Sequence, residues 1–203
     1  MMNEMAAYWN RNFTEVKKEY QTPSDFAVKA ATEMKNKGAV KLLELGPGRG
    51  RDTFYFDGLG FDLTAVEISD EMAEILAAKT KGKILNLDFR EMDFPENSFD
   101  AVYARLSLHY FPDQETDLIF DKIHKTLKPK GLLFVQCKST QDWEYGMGKK
   151  VAEDTFEHGH IRHFFSKEYL RQKAAKFDIV ELYDEFLKKD DKMNHIVSLV
   201  ACK

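Results

Sequence analysis

The segment Glu44-Leu45-Gly46-Pro47-Gly48-Arg49-Gly50 sets three glycines within five residues, the first of them two positions after an acid. Glycine lets a backbone turn sharply and lie against a ligand with no Cβ in the way. The run before it, Val40–Leu45, reads as a buried strand, and a helix is expected over 51–58. A glycine loop between a strand and a helix falls where doubly wound sheets bind ligands, at the carboxyl ends of the strands near the topological switch point. A tight turn with no ligand is the plainer alternative.

Spacing narrows the ligand. Dinucleotide sites use G-x-G-x-x-G, and here Arg51 stands in the third glycine's place. The nucleoside-triphosphate pattern G-x-x-x-x-G-K-[ST] is also missing, with no lysine to neutralise phosphates. An adenosyl ligand without a diphosphate fits better. Two carboxylates at later strand ends agree. Glu67 closes the run Leu63–Glu67, 17 residues after Gly50, where a carboxylate accepts both hydroxyls of a ribose. Asp88 follows Leu85-Asn86-Leu87 and is placed to accept an adenine amino hydrogen, with Phe89 offering a ring or a backbone amide. A helix-end charge for Glu67 and a turn aspartate for Asp88 are the competing roles.

Three further segments carry side chains that could meet a second reactant. In Arg105-Leu106-Ser107-Leu108-His109-Tyr110-Phe111, His109 is the candidate catalytic residue, to take a proton or orient an acceptor, and Tyr110 a candidate contact. In Glu157–Phe165, Arg162 is placed to grip an anion through paired hydrogen bonds. The three histidines nearby, His158, His160 and His163, have a spacing that matches no metal motif and lack a cysteine, so no metal is expected. Tyr8 and Trp9, near the N-terminus, are candidates to close the site and exclude water. For each, a structural histidine, a solvated charge or a packed helix is the alternative.

Alternating elements must position these residues. Helices are expected over 3–19 (with Tyr8, Trp9, Phe13 and Val16), 24–36 (capped by Ser24 and ended by Gly38), 51–58, 69–79, 113–127 and 166–176. Strands are expected at Val40–Leu45, 61–67, Lys83–Leu87, Phe99–Ala104 and Leu132–Gln136. Such alternation implies βαβ units and a parallel sheet covered on both faces. The last third departs from this alternation. A long loop is expected over 138–165, and the extended runs Ile179–Tyr183 and His195–Cys202 are joined by the charged turn Lys188–Lys192. A short polar join implies an antiparallel pair and an antiparallel edge strand on an otherwise parallel sheet. The division expected is an N-terminal helical cap, 1–37, and a ligand-binding α/β domain, 38–203.

From Leu42 to Val135 the chain resembles the class I S-adenosylmethionine-dependent methyltransferases. Four pieces match in order: the glycine motif Glu44–Gly50, the acidic strand end Glu67-Ile68-Ser69, the pair Asp88-Phe89, and Met92-Asp93-Phe94-Pro95-Glu96-Asn97-Ser98-Phe99-Asp100-Ala101-Val102, which looks like the family's stretch before strand four. Glu67 stands where Asp is commoner, and Asp93 where Pro is commoner. The resemblance implies a Rossmann-like, mostly parallel seven-stranded sheet and S-adenosyl-L-methionine as cofactor. It implies cofactor contacts from Glu44, Leu45, Gly46, Pro47, Gly48, Gly50, Glu67, Ile68, Met72, Asp88, Phe89, Arg105 and Leu106. Leu45–Gly48 would pack under the methionine part, Glu44 would help its ammonium indirectly, Ala104–Leu106 would line the same end, and Met72 would touch the adenine. The methyl sits on a sulfonium, so transfer is an in-line displacement that mainly needs alignment.

Composition bounds the acceptor. The 203 residues carry 30 basic and 34 acidic side chains, a net charge of -4, which disfavours general nucleic-acid binding. No N/D-P-P-Y/F follows strand four, and neither Cys137 nor Cys202 follows a proline, so signatures of amino-methylating and cytosine-methylating enzymes are missing. A small-molecule acceptor is expected, with a loose likeness to tellurite-resistance, thiopurine and quinone-biosynthesis methyltransferases. A protein or RNA acceptor, or a cofactor-binding protein without turnover, is the alternative, and a nicotinamide enzyme a more distant one. Two separated cysteines, no spanning apolar run and no signal-like N-terminus imply a reduced, cytoplasmic setting with no membrane insertion.

Overall fold

The structure, a computed structural model, describes residues 4–12, 22–189 and 192–203. Phe13, Val16, the rest of the expected first helix and the centre of the charged turn, Asp190-Asp191, lie outside the described residues. The elements are α1 (Glu4–Asn12), α2 (Asp25–Asn36), β1 (Lys41–Leu45), α3 (Thr53–Gly58), β2 (Asp62–Glu67), α4 (Asp70–Ala77), β3 (Lys83–Asn86), β4 (Phe99–Arg105), α5 (Asp113–Thr126), β5 (Leu127–Lys138), β6 (Lys149–Ala152), β7 (Thr155–Glu157), β8 (Ile161–His163), α6 (Lys167–Lys173), β9 (Asp178–Lys189) and β10 (Lys192–Cys202).

Seven strands form one sheet in the order β3-β2-β1-β4-β5-β10-β9. The first five are parallel, and β10 runs antiparallel to both β5 and β9. The antiparallel C-terminal strand lies one place in from the edge, with β9 outside it. Side chains explain the order. From Ile196 to Ala201 every residue of β10 is buried, as an interior strand covered on both faces requires. β9 leaves Val180 and Phe186 exposed, which suits an edge.

Alternate residues along the central strands face opposite ways. Leu43, Leu45, Val102, Ala104, Leu133 and Val135 join a cluster with Ile119, Phe120 and Ile123 of α5 and Leu170 of α6. Leu42, Ala101, Tyr103, Leu132 and Phe134 meet Phe26, Ala27, Ala30 and Met34 of α2 and Phe56 of α3. The second helix, expected as part of an N-terminal cap, thus shares one apolar cluster with the sheet.

Two segments depart from expectation. The strand expected at Leu132–Gln136 runs from Leu127 to Lys138 and takes in the stretch Pro129-Lys130-Gly131. That stretch is a bulge inside the longer strand, with register moving from Phe99↔Leu127 to Ala101↔Leu132 and Lys130 at φ 66. The expected long loop over 138–165 contains β6, β7 and β8, a separate antiparallel three-stranded sheet. These strands have only three or four residues, and β6 is exposed throughout, so no alternation betrayed them. Phe156 and Phe164, 6.1 Å apart at their ring centres with Tyr145 beside both, anchor them.

No helix among the described residues is long and apolar enough to cross a membrane. Phe134 is fully buried at the centre of the sheet. Phe134→Ala should lower unfolding free energy by about 3–5 kcal/mol, read from the urea midpoint, whereas Val180→Ala on the exposed edge should change it by less than about 0.5 kcal/mol.

Candidate functional site

The strand order reverses between β1 and β4, and a cavity of about 350 Å³ opens at their carboxyl ends. Its wall includes Gly46, Pro47, Gly48, Glu67, Ile68, Phe89, Arg105, Leu106 and Tyr110, all singled out in sequence. Met5, Arg49, Arg51, Ser107 and Phe111 complete it together with Trp9.

The glycine loop leaves β1 by a bond from Gly46 N–H to the Val66 carbonyl, 2.9 Å. Gly46 has φ 77, and a Cβ there would stand 2.5 Å from Cβ of Ser107 and 3.3 Å from the Phe89 ring. Ser107 Oγ donates to the Leu45 carbonyl at 2.7 Å, tying the ends of β1 and β4 together. To reach that position the chain passes through Leu106 at φ 54, a left-handed conformation uncommon for a non-glycine residue and held by Leu106 N–H on the Gln136 carbonyl, 2.7 Å.

Glu67 is buried at the end of β2. Gly48 N–H donates to its Oε2 at 3.0 Å and Ser69 N–H to its Oε1 at 2.9 Å. Burial raises its pKa, and these two hydrogen bonds offset part of that effect. Each carboxylate oxygen keeps a second acceptor direction. The carboxylate is therefore fixed in orientation before any ligand arrives.

Beneath the loop lies a polar network that sequence reasoning missed. Asp52 accepts from Ser24 N–H, Ser24 Oγ and Tyr103 Oη, all at 2.8 Å. Ser24 also caps α2 by accepting from Ala27 N–H at 3.1 Å. Arg51 donates to the carbonyls of Thr22 and Pro23 at 2.8 and 3.3 Å. The start of α2 is thus fastened to the glycine loop by two successive residues. The signal available in sequence was Tyr103, a hydroxyl between Val102 and Ala104 in a central strand, which must find a partner when buried.

Several expected contacts stand elsewhere. Met72 is fully buried and absent from the cavity wall: Ser69 caps α4, turning Met72 inward and leaving Ile68 at the wall. Gly50 lies under Leu76 and Phe54, and its missing Cβ serves helix packing. Leu45 is a core side chain, and its carbonyl is taken by Ser107. Asp88 is turned to Arg90, which meets both its oxygens, at 3.0 and 2.6 Å, leaving Phe89 on the wall. Glu44 is buried behind the loop with Oε2 unpartnered.

His109 does not reach the cavity. The turn Leu108–Tyr110 sends Leu108 and His109 inward, and the His109 ring packs against Tyr110 with neither nitrogen hydrogen-bonded. Burial, with Arg162 and Lys138 nearby, pushes its pKa well down, so the ring is neutral. Tyr110 is the side chain that reaches the wall, and burial pushes its phenol up to about 12. Trp9 packs on Tyr110 at 4.8 Å. Tyr8 and Arg162 border a second cavity of about 360 Å³ beside the small sheet. Among the described residues no three His, Cys, Asp or Glu side chains converge as metal ligands would.

Residues 43–135 match the family described as a methyltransferase domain. A putative methyltransferase of Geobacillus sp. (strain WCH70) is 28% identical over 151 residues, covering 71% of this chain and 61% of that protein. Sterol 24-C-methyltransferase of Aspergillus fumigatus is 32% identical over 140 residues, covering 65% of this chain and 35% of that protein. The chain therefore spans about a third to three fifths of the length of these relatives. The crystal structure of a Burkholderia thailandensis 1,6-didemethyltoxoflavin-N1-methyltransferase, which contains S-adenosylhomocysteine, shares the fold with a TM-score of 0.72 at 21% identity, covering 100% of this chain and 90% of that one. The match over residues 43–135 is to a methyltransferase domain, and the fold is shared with a structure that contains S-adenosylhomocysteine. The residues present fit S-adenosylmethionine: Gly46, Pro47 and Gly48 put a loop without bulky side chains on the cavity wall, and a preoriented buried carboxylate stands one strand along.

Glu44 gives the chain a pH signature. Burial, with Asp52 and Glu67 close by, pushes its carboxyl up to about 8. The folded state then holds a proton that the unfolded chain releases near its ordinary value of 4.5, so stability is full below that pH and falls as pH rises towards about 8. Glu44→Gln should remove this slope and leave the variant more stable than the parent by on the order of a few kcal/mol at about pH 9, read from denaturation midpoints across pH.

Proposed function

We propose that this chain transfers a methyl group from S-adenosylmethionine to a small-molecule acceptor by in-line displacement. The observation that carries the reading is the cavity at the β1/β4 switch point, with Gly46 pressed against Ser107 and Glu67 fixed by two backbone N–H groups. Bound S-adenosylmethionine supplies a methyl carbon on a positively charged sulfur. The backbone from Gly46 to Gly48 cradles the methionine end, with Arg105 and Leu106 beside it. Glu67 takes the ribose hydroxyls. Ile68 and Phe89 wall the adenine end.

The acceptor approaches from the side of Tyr8, Trp9, Tyr110 and Arg162. Trp9 and Tyr110 exclude water from the reacting atoms, and their ring faces favour the cationic sulfur. The chain's own work is alignment more than proton transfer. Of the titratable side chains on the described wall, Glu67 is committed to backbone donors and Tyr110 holds its proton. His109, the base expected from sequence, is enclosed. An acceptor that arrives with a lone pair already free suits such a site. The net charge of -4 favours a small molecule over a phosphate backbone, and a reduced, cytoplasmic setting accords with two unpaired cysteines.

Titration calorimetry tests this directly. S-adenosylmethionine should bind and a reduced nicotinamide should not, and release of S-adenosylhomocysteine across thiols, phenols, amines and chalcogen oxyanions should reveal the acceptor class. Glu67→Ala should weaken cofactor binding by about 1–3 kcal/mol; an unchanged affinity would place the ribose elsewhere.

A further inference from the structure

A row of polar side chains crosses the sheet at the level of the first cavity. Arg105 of β4 stands opposite Gln136 of β5, and Gln136 opposite Ser198 of β10. Glu185 of β9 closes the row. Two residues along each strand, the same face carries Tyr103, Phe134 and Val200 in an apolar cluster.

Hydrogen bonds run through the row in one direction. Arg105 Nε donates to Gln136 Oε1 at 2.9 Å. A guanidinium can only donate, so the amide must turn its oxygen towards Arg105 and its NH₂ away. Gln136 Nε2 then donates to Ser198 Oγ at 3.0 Å, and Ser198 Oγ donates to Glu185 Oε1 at 3.5 Å. Gln136 and Ser198 are fully buried. Polar groups sunk in a sheet face cost free energy unless they are hydrogen-bonded, and these are. The backbone adds a second tie, from Leu106 N–H to the Gln136 carbonyl at 2.7 Å. β5 thus sets both the turn after Arg105 and the direction of its side chain.

The far end of Arg105 is left over. Its side chain is 18% exposed and stands on the wall of the first cavity. Among the described residues its two terminal nitrogens have no hydrogen-bond partner, and neither is enclosed. Arg51, on the same wall, already donates to the carbonyls of Thr22 and Pro23. Asp52 lies 4.0 Å from Arg105 Nε, beyond hydrogen-bond reach, and accepts instead from Ser24 and Tyr103. The group that does hold Nε is neutral. An acid in the place of Gln136 would pair with the guanidinium; an amide fixes its plane and leaves its charge for a ligand. Two adjacent NH₂ groups on a fixed plane match the two oxygens of a carboxylate.

We propose that Arg105 takes the carboxylate at the methionine end of the cofactor, and that Gln136, which is not on the cavity wall, is the positioning residue that aims it. The inference rests on the methyltransfer reading and deepens it. It makes the C-terminal strands β10 and β9 part of cofactor recognition, because Ser198 and Glu185 hold the amide in the orientation that Arg105 needs. The site then selects an adenosyl amino acid over an adenosyl thioether that lacks the acid.

The test is calorimetry on the whole chain with two probes, S-adenosylhomocysteine and decarboxylated S-adenosylhomocysteine, which share nucleoside, sulfur and amine. The parent should bind the first at least about tenfold more tightly. Arg105→Gln should weaken S-adenosylhomocysteine by about tenfold or more and leave the decarboxylated probe within about twofold of the parent. Gln136→Leu should show the same selective loss, by at least about threefold. Ser198→Ala frees the amide without touching Gln136 or Arg105, and should lower the preference by at least about twofold even if Gln136→Leu does not fold. The proposal is overturned if the parent binds both probes alike, if Arg105→Gln leaves S-adenosylhomocysteine binding unchanged, or if the Gln136 and Ser198 variants weaken both probes equally, as a merely structural role would. Failure of both probes to bind the parent would overturn the methyltransfer reading as well.

Discussion

At Gly46 the ends of β1 and β4 come so close that one methyl group would stand 2.5 Å from Cβ of Ser107. This approach sets the site. With no side chain at Gly46, Ser107 can reach the Leu45 carbonyl and hold the two strand ends side by side. Leu106 takes a left-handed conformation to make the reach, and β5 supports it through the Gln136 carbonyl. The residues following β4 thereby become one wall of the cavity, and the glycine loop becomes the other. A crevice at a switch point exists in any doubly wound sheet; here its width is fixed by a missing Cβ and one serine hydrogen bond.

The loop is held from below by carboxylates, each stabilised differently. Asp52 is surrounded by donors from Ser24 and Tyr103 and fastens α2 to the loop. Glu67 spends its backbone bonds on orientation, and one of them, to Gly48, runs back to the loop itself. Glu44 has an unpartnered oxygen and answers burial by keeping its proton. The carboxylates and the loop geometry are therefore coupled: Glu67 cannot move without releasing Gly48, and Asp52 cannot move without releasing Ser24. Both signs of charge meet at the loop: Glu44, Asp52 and Glu67 are buried around it, and Arg49, Arg51 and Arg105 stand on the cavity wall.

Much of this was legible in order and type along the chain. The parallel core, the glycine loop and the acid one strand on are written in short apolar runs and in residues that only special backbone positions demand. What could not be read were relations across the fold. Met72 and Ile68 stand about one helical turn apart, and which one reaches the cavity depends on how Ser69 turns the chain. Asp88 has the right position for a nucleobase contact, but its near neighbour Arg90 takes both oxygens. The small sheet was hidden because strands of three and four residues show no period. The inward place of β10 was written in the nearly unbroken apolar run Ile196–Cys202, which an edge strand would not need.

The helix α1 makes one volume into two. Trp9 faces the cofactor cavity and Tyr8 the second one, as neighbours on a helix point in different directions. Tyr110 and His160 meet them from the other side, 5.2 Å apart, so the partition is built of rings from three separate parts of the chain. Rings suit this role because they exclude water while presenting negative faces to a positive sulfur. Tyr110 and His160 carry no proton to exchange near neutral pH: the Tyr110 phenol lies at about 12 and the His160 ring at about 4. In the proposed methyl transfer, a wall of this composition takes no proton from the acceptor and leaves the chain the work of alignment.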